Sequence, residues 1–273
     1  MKIQHNMGSL NTYRNLTTNK AKGASDFEKL VSGSSINRAA DNASGLAISE
    51  KMRGQIRGLD MAQKNVQDAI GLVQTAEGAM EEIHAMLQRG RELSVQAAND
   101  TNTPFDREQL QKELEQINDE ITHIANRTDF NTRKPLKADE LNVQQVSLQA
   151  AANEGQSIAA TLPDISAKKL GIDEVDITTY ESTAKSITSY DKAIEQIANE
   201  RSYLGAVQNR LEHATLNLGS AAENLIGSES RIRDTDMASG MMNLTKNNIL
   251  SQSAQSMLAQ ANQQPQGVLQ LLG

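Results

Sequence analysis

MRGQIRGLDMAQKNVQDAIGLVQTAEGAMEEIHAML, residues Met52 to Leu87, repeats on a strict seven-residue period. Met52, Leu59, Val66, Val73, Met80 and Leu87 are each seven apart, and Ile56 and Ile70 read as the complementary seam position. Far along the chain Tyr190, Ile197, Leu204, Leu211, Leu218, Leu225 and Ile232 keep the same step, with Ile187 and Ile194 beside them. A shorter run, Leu110, Leu114, Ile117, Ile121 and Ile124, alternates four and three. Apolar spacing sustained this long specifies helices supercoiled on one another. At 1.5 Å rise per residue, the first and last helices are each roughly 70 Å long. Their matched lengths predict an antiparallel coiled-coil rod with the shorter helix alongside. Its core is expected at Met52, Ile56, Leu59, Val66, Ile70, Val73 and Ile197.

That seam is not wholly apolar. Gln63, Glu77 and His84 take its second position in the first helix, and Arg201, Gln208, Thr215 and Glu229 in the last. Polar seam residues fix register at some cost in stability; the alternative is that they meet neighbouring molecules. The loop NDTNTPFD (Asn99 to Asp106) breaks the first two helices, with Thr103 or Asp106 as cap. Two short strands are predicted, Val143 to Ala151 and Gln156 to Leu162, around the turn Asn153-Glu154-Gly155. The fold class is therefore mainly α, with a small β-hairpin region.

Composition narrows the function. A net charge of −7 without a basic cluster excludes nucleic acid. Absence of cysteine removes disulfides, zinc thiolates and thiol chemistry. No stretch is long and apolar enough to span a bilayer, and MKIQHNMGSLNTYRNL has no apolar signal-peptide core. Taken alone, that suggests a cytoplasmic protein. Two Glu-x-x-His pairs, Glu81 with His84 and Glu120 with His123, have the spacing of di-metal carboxylate bundles. Their registers differ: His84 falls on the seam and His123 outside it. A shared cage, and hence a di-metal enzyme, is the weak alternative. No cofactor is expected.

The ends carry a different signal. Ile3, Met7, Leu10, Ala24, Phe27, Leu30 and Val31 have loose helical spacing before Ser32-Gly33-Ser34-Ser35 interrupts. After Ile232, Arg233-Asp234-Thr235-Asp236 supplies a break and a new cap. Residues Asn247 to Gly273 contain no Asp, Glu, Lys, Arg or His. Leu250, Ala254, Met257, Ala261, Pro265, Val268 and Leu272 step along them as one helix face, opposite Ser, Asn and Gln. Two narrow terminal helices, paired at one end of the rod, do not fully cover each other's apolar stripes. A partner is implied.

INRAADNASGLAISEKMRGQIRGL (Ile36 to Leu59) resembles the N-terminal signature of bacterial flagellins. So do NRTDFN (Asn126 to Asn131), LGAVQNRLEHATLNL (Leu204 to Leu218), ESRIRDTDMA (Glu229 to Ala238) and the closing ANQQPQGVLQLL. The likeness covers roughly residues 1 to 131 and 185 to 273, and is strongest to flagellins of Bacillus and related Gram-positive bacteria. It implies a filament subunit exported unfolded through a type III channel, without a cleaved signal peptide, and polymerised at the filament tip. That replaces the cytoplasmic reading with an extracellular, motility-serving one. A hook-filament junction protein of related fold is the alternative within the family.

The resemblance also implies a division of the chain. Residues 1–33 would form the N-terminal inner helix and 34–131 the rod helices. Residues 132–182 would hold the hairpin with no large outer domain, 183–235 the returning rod helix, and 236–273 the C-terminal inner helix. Polymerisation is expected through Ile3, Met7, Leu10, Leu250, Met257, Leu258, Ala261, Val268, Leu269 and Leu272. Family partners are an export chaperone, a filament cap, hook-junction proteins and a Toll-like innate immune receptor facing Arg89, Leu93 and Glu113. The sequence departs from the family at Gln4, at Thr132 (where Gly is common) and at Gly90 (where a branched residue is usual). Glycine at position 90 weakens a helix by about 1 kcal/mol relative to alanine.

Overall fold

Turn chemistry sets the helix boundaries. The computed structural model describes residues 6–137 and 145–272, with side chains as far as residue 264. Helix α1 (Met7–Ser32) starts where the Asn6 side chain accepts the Ser9 amide, and stops at Gly33, whose φ of 69° suits glycine. Helix α2 (Ala43–Ala97) follows Asn42, whose side chain accepts the Gly45 amide. Helix α3 (Pro104–Arg127) opens with a reciprocal capping box between Thr103 and Asp106. Hydrogen bonds from the Thr103 hydroxyl and amide hold the Asp106 carboxyl below its ordinary range. That contribution is present above the ordinary carboxylate range and is lost as pH falls through the lowered value. Strands β1 (Gln145–Gln149) and β2 (Ser157–Thr161) pair antiparallel, Gln145 opposite Thr161, around a turn with Gly155 at φ 79°. A short α4 (Ala167–Leu170) precedes the long α5 (Tyr180–Arg233) and α6 (Met237–Leu272). The strand start expected at Val143 lies outside the described residues.

The chain divides into two compact units, Gln55–Glu223 and Met1–Gly54 with Asn224–Gly273. Within the first, α2 and α5 run antiparallel: Glu77 meets Arg201 at 3.9 Å, and Arg91 meets Asp191 at 2.6 Å. The buried seam of α2 is Leu59, Ala62, Val66, Ala69, Val73, Ala76, Met80, Ile83 and Leu87. Along α5 it is Ser186, Tyr190, Ala193, Ile197, Leu204, Val207, Leu211 and Leu218. Each fully buried large aliphatic side chain contributes about 1.5–3 kcal/mol.

This corrects the expected seam. Its second position falls three residues after the first, not four, and is filled largely by alanine. Ile70 is only half-buried, as are Gln63, Glu77 and His84 on the same flank. Met52 and Ile56, at the unit boundary, are half-buried too. Alanine fills the seam position between the larger side chains, whereas isoleucine at the flank covers the seam from outside. The Glu77–Arg201 pair lies on that flank, consistent with register control.

Three helices converge at one buried point. The Tyr190 hydroxyl donates to Asn118 Oδ1 at 2.8 Å, and Asn118 Nδ2 donates to the Ile172 carbonyl at 2.8 Å. A methyl group at Gly90 would stand 2.6 Å from the Tyr190 ring. Gly90 is thus the socket for Tyr190, and its meaning is packing rather than a local helix defect. Burial pushes the Tyr190 phenol up to about 12. Stability from the neutral phenol is intact below the ordinary tyrosine value and is lost as pH rises through the raised one. Two turns earlier in α3, Gln111 accepts the Ile177 amide at 2.9 Å and donates to the Val175 carbonyl at 3.1 Å. These side-chain amides dock the segment 172–177 onto α3.

Thr132 adopts φ 67°, in the left-handed region that disfavours a β-branched residue. Glycine relieves this, which gives the departure at Thr132 a physical meaning. Thr132→Gly is expected to raise stability by up to about 1 kcal/mol, relief of strain outweighing the greater freedom of the unfolded chain. Denaturant midpoints compared at equal slope will measure it.

Candidate functional site

The second unit contains both terminal helices. The connection between α1 and α2 pairs with that between α5 and α6: Ser35 N donates to the Arg233 carbonyl at 2.6 Å and Thr235 N to the Gly33 carbonyl at 3.0 Å. Charges pin the adjoining turns, with Arg233 on Glu50 at 2.8 Å and Arg53 on Glu229 at 2.9 Å. The Asp236 side chain accepts the Ala238 and Ser239 amides and starts α6. The two connections bridge antiparallel at Ser34 and Asp234, and α1 and α6 continue from them side by side and antiparallel.

Polar side chains bridge them. Asn6 Nδ2 donates to the Ala261 carbonyl at 2.7 Å, Ser9 to Asn262 at 2.7 Å, and Asn247 to Asp26 at 2.7 Å. A Cβ on the buried Gly23 would lie 3.8 Å from Asn247, and one on Gly240 only 2.8 Å from the end of Leu30. Leu16 and Ala254 are the buried apolar residues of the pair.

Most of the large apolar side chains are left exposed. On α1, Met7, Leu10, Tyr13, Phe27 and Val31 are exposed; on α6, so are Met237, Met241, Met242, Ile249, Leu250 and Met257. Met242 is 67% exposed and Met257 61%. An open apolar depression of about 520 Å³ lies on α6, lined by Met241, Met242, Ile249 and Leu250 with Thr245 and Lys246. Monomeric proteins rarely leave so many large apolar side chains of one helix pair uncovered.

Of the residues expected to polymerise, Met7, Leu10, Leu250 and Met257 face outward, whereas Leu258 and Ala261 are half-buried. Val268, Leu269 and Leu272 continue the helix, their side chains outside the described ones, and Ile3 lies outside the described residues. Spacing alone did not separate the two faces of α6, because Ala254 and Ala261 count as apolar with Leu250 and Met257. Met241, Met242 and Ile249 escaped the sequence reading. Their signal was an apolar pair, Met241-Met242, one turn beyond a cap.

At the expected receptor surface, Arg89 bonds Glu113 at 2.8 Å, and both stay exposed. That carboxylate raises the Arg89 pKa. Leu93 is 1% exposed and belongs to the core, correcting its expected outward placement. Here the buried face of α2 widens to Gly90, Leu93, Ser94 and Ala97, since both α3 and α5 cover it. His84 Nε2 pairs with Gln88 at 2.8 Å, and no group of three possible metal ligands occurs among the described residues. No helix among them is long and apolar enough to cross a membrane.

Such an arrangement defines a class: a coiled-coil protein whose paired terminal helices reserve their large apolar side chains for something outside the chain. The profile of the bacterial flagellin N-terminal helical region matches residues 3–141, and that of the C-terminal helical region matches 187–272. The chain is 51% identical over 274 residues to a flagellin of Halalkalibacterium halodurans, covering all of both. It is 49% identical over 304 residues to a flagellin of Bacillus subtilis (strain 168), again covering both completely. The crystal structure of Bacillus cereus flagellin superimposes with a TM-score of 0.51 at 34% identity, over 61% of this chain and 94% of that one. The chain belongs to the bacterial flagellin family.

Proposed function

We infer that this chain is a structural, non-catalytic subunit of the bacterial flagellar filament, serving motility, and that it polymerises with copies of itself through the outward faces of α1 and α6. One observation carries the reading: the terminal helices pair through Leu16, Ala254 and a set of Asn, Ser and Gly residues, and leave most of their large apolar side chains, Met7, Leu10, Met242, Ile249, Leu250 and Met257 among them, uncovered. Family membership supports the rest. The subunit leaves the cell unfolded and is added at the growing tip, where it is extracellular. An export chaperone, a cap and hook-junction proteins are its transient partners. A Toll-like receptor would meet Arg89 and Glu113 directly, and Leu93 only through the helix shape that it supports. Residues 132–182 serve as a compact hairpin region in place of a large outer domain, and residues 1–33 and 236–273 serve assembly.

The uncharged stretch from Asn247 onward fits an enclosed position. A charge there would cost several kcal/mol in every subunit, whereas amides and hydroxyls can pair with one another or with ordered water. Removing residues 249–273 is expected to leave a soluble, largely helical protein that forms no filaments, because the seam of α2 and α5 lies outside the deletion. Circular dichroism and electron microscopy read the two halves of this expectation. Persistent filaments would refute it, and short caps or rings from the full chain would point to a junction protein instead.

A further inference from the structure

We propose that the outward methionines of α6 form an oxidation site that switches assembly. A two-electron oxidant of the peroxide class converts them to sulfoxides in the unassembled chain and blocks polymerisation, while assembly shields them. The proposal rests on the assembly reading above.

Met237, Met241, Met242 and Met257 are all more than half exposed, on one helix of the terminal pair. Met241 and Met242 line the apolar depression with Ile249 and Leu250. The chain has no cysteine to intercept an oxidant, so accessible thioethers are the side chains that react first. In the reaction, the sulfur lone pair attacks one oxygen of hydrogen peroxide and the O–O bond breaks. That oxygen stays on sulfur as the sulfoxide, and the other leaves as water after proton transfer. Sulfur loses two electrons and peroxide gains them.

The consequence follows from where the oxygen ends up. A sulfoxide is a polar acceptor on a side chain that was flexible and apolar, and it disrupts methionine-rich interfaces. In the free chain it stays hydrated and costs little. Between subunits it would be buried without a donor, once per modified methionine in every copy. Oxidation therefore acts on assembly and spares the fold. Met80, fully buried in the α2 seam, is closed to the oxidant and serves as an internal reference.

The test treats monomer with hydrogen peroxide, removes the oxidant, maps sulfoxides by peptide mass spectrometry and measures the critical concentration for polymerisation by sedimentation. A variant carrying Met237→Leu, Met241→Leu, Met242→Leu and Met257→Leu, with the exposed Met7 of α1 also replaced by leucine, runs in parallel. Oxidised wild type is expected to need at least tenfold more protein to polymerise, the oxidised variant no more than the untreated one, and methionine sulfoxide reductases should restore wild type. Preformed filaments given the same dose should keep the four α6 methionines unmodified. Sulfoxides at all four with an unchanged critical concentration would overturn the switch, as would equal loss of assembly in the oxidised variant. Filaments that form normally yet oxidise at these sites as fast as monomer would overturn the shielding. Failure of untreated protein to polymerise would instead remove the assembly reading itself.

Discussion

Met242→Glu combined with Leu250→Glu is expected to abolish filaments while leaving the monomer as stable as wild type to within about 0.5 kcal/mol. Both side chains are exposed in the single chain, 67% and 41%, so the monomer loses little packing. Glutamate is a good helix former, so α6 persists. Between copies the same positions would enclose a carboxylate, at several kcal/mol per ion. At about 1.4 kcal/mol per factor of ten, the critical concentration should rise by more than roughly a hundredfold. The direction of its pH dependence is fixed by linkage. A carboxyl buried on assembly has a raised pKa in the filament, so protonation favours the filament. Polymerisation should partly recover as pH falls toward the ordinary glutamate value, about 4.3, and be lost again above it. Sedimentation at two pH values, with thermal unfolding of the monomer, measures both parts.

Tyr190→Ala is expected to have the largest effect on the fold itself, a loss of roughly 3–5 kcal/mol. The ring is fully buried, and its removal leaves a cavity above Gly90 and an orphaned Asn118 carbonyl. Tyr190→Phe keeps the ring and should cost less, about 1–3 kcal/mol for the unsatisfied acceptor. The signature of a socket is the coupling with Gly90→Ala. Against the wild-type tyrosine the new methyl stands 2.6 Å from the ring, so overpacking of about 1–3 kcal/mol outweighs the gain in helix propensity. In the Tyr190→Ala background the same methyl meets open space, and Gly90→Ala should become neutral or stabilising. Equal effects of Gly90→Ala in both backgrounds would show that the two residues do not act together.

Much of this architecture was legible. The strict heptads anticipated the long helices, and Leu59, Val66, Val73 and Ile197 are all buried. Thr103 with Asp106 marked the start of α3, and Asn153-Glu154-Gly155 marked the hairpin, because caps and turns are local chemistry. The second seam position was not legible. Hydrophobicity favours Ile56 and Ile70 over Ala62, Ala69 and Ala76, yet it is the alanines that the pairing buries. Gly90 and Tyr190 are separated by a hundred residues, so their fit is a property of the antiparallel pairing and of neither segment alone.

The terminal helices hid their division of labour for a related reason. Periodicity detects an apolar stripe but does not say whether it meets the chain's own partner helix or another molecule. On α1 and α6 the chain's own contact buries only Leu16 and Ala254 among apolar residues and adds Asn6, Ser9, Gly23 and Asn247, which a hydrophobicity count treats as the solvent side. Most of the large apolar side chains of the two helices are left open.

Helical reconstruction by electron cryomicroscopy of filaments grown from this chain tests that division most directly. The result expected is that Leu10, Tyr13, Met242, Ile249, Leu250 and Met257 each lie within about 4.5 Å of apolar carbons of neighbouring copies, the distance of a packed contact. Filaments in which these side chains face water, with subunits joined only through α3 and the hairpin, would contradict it.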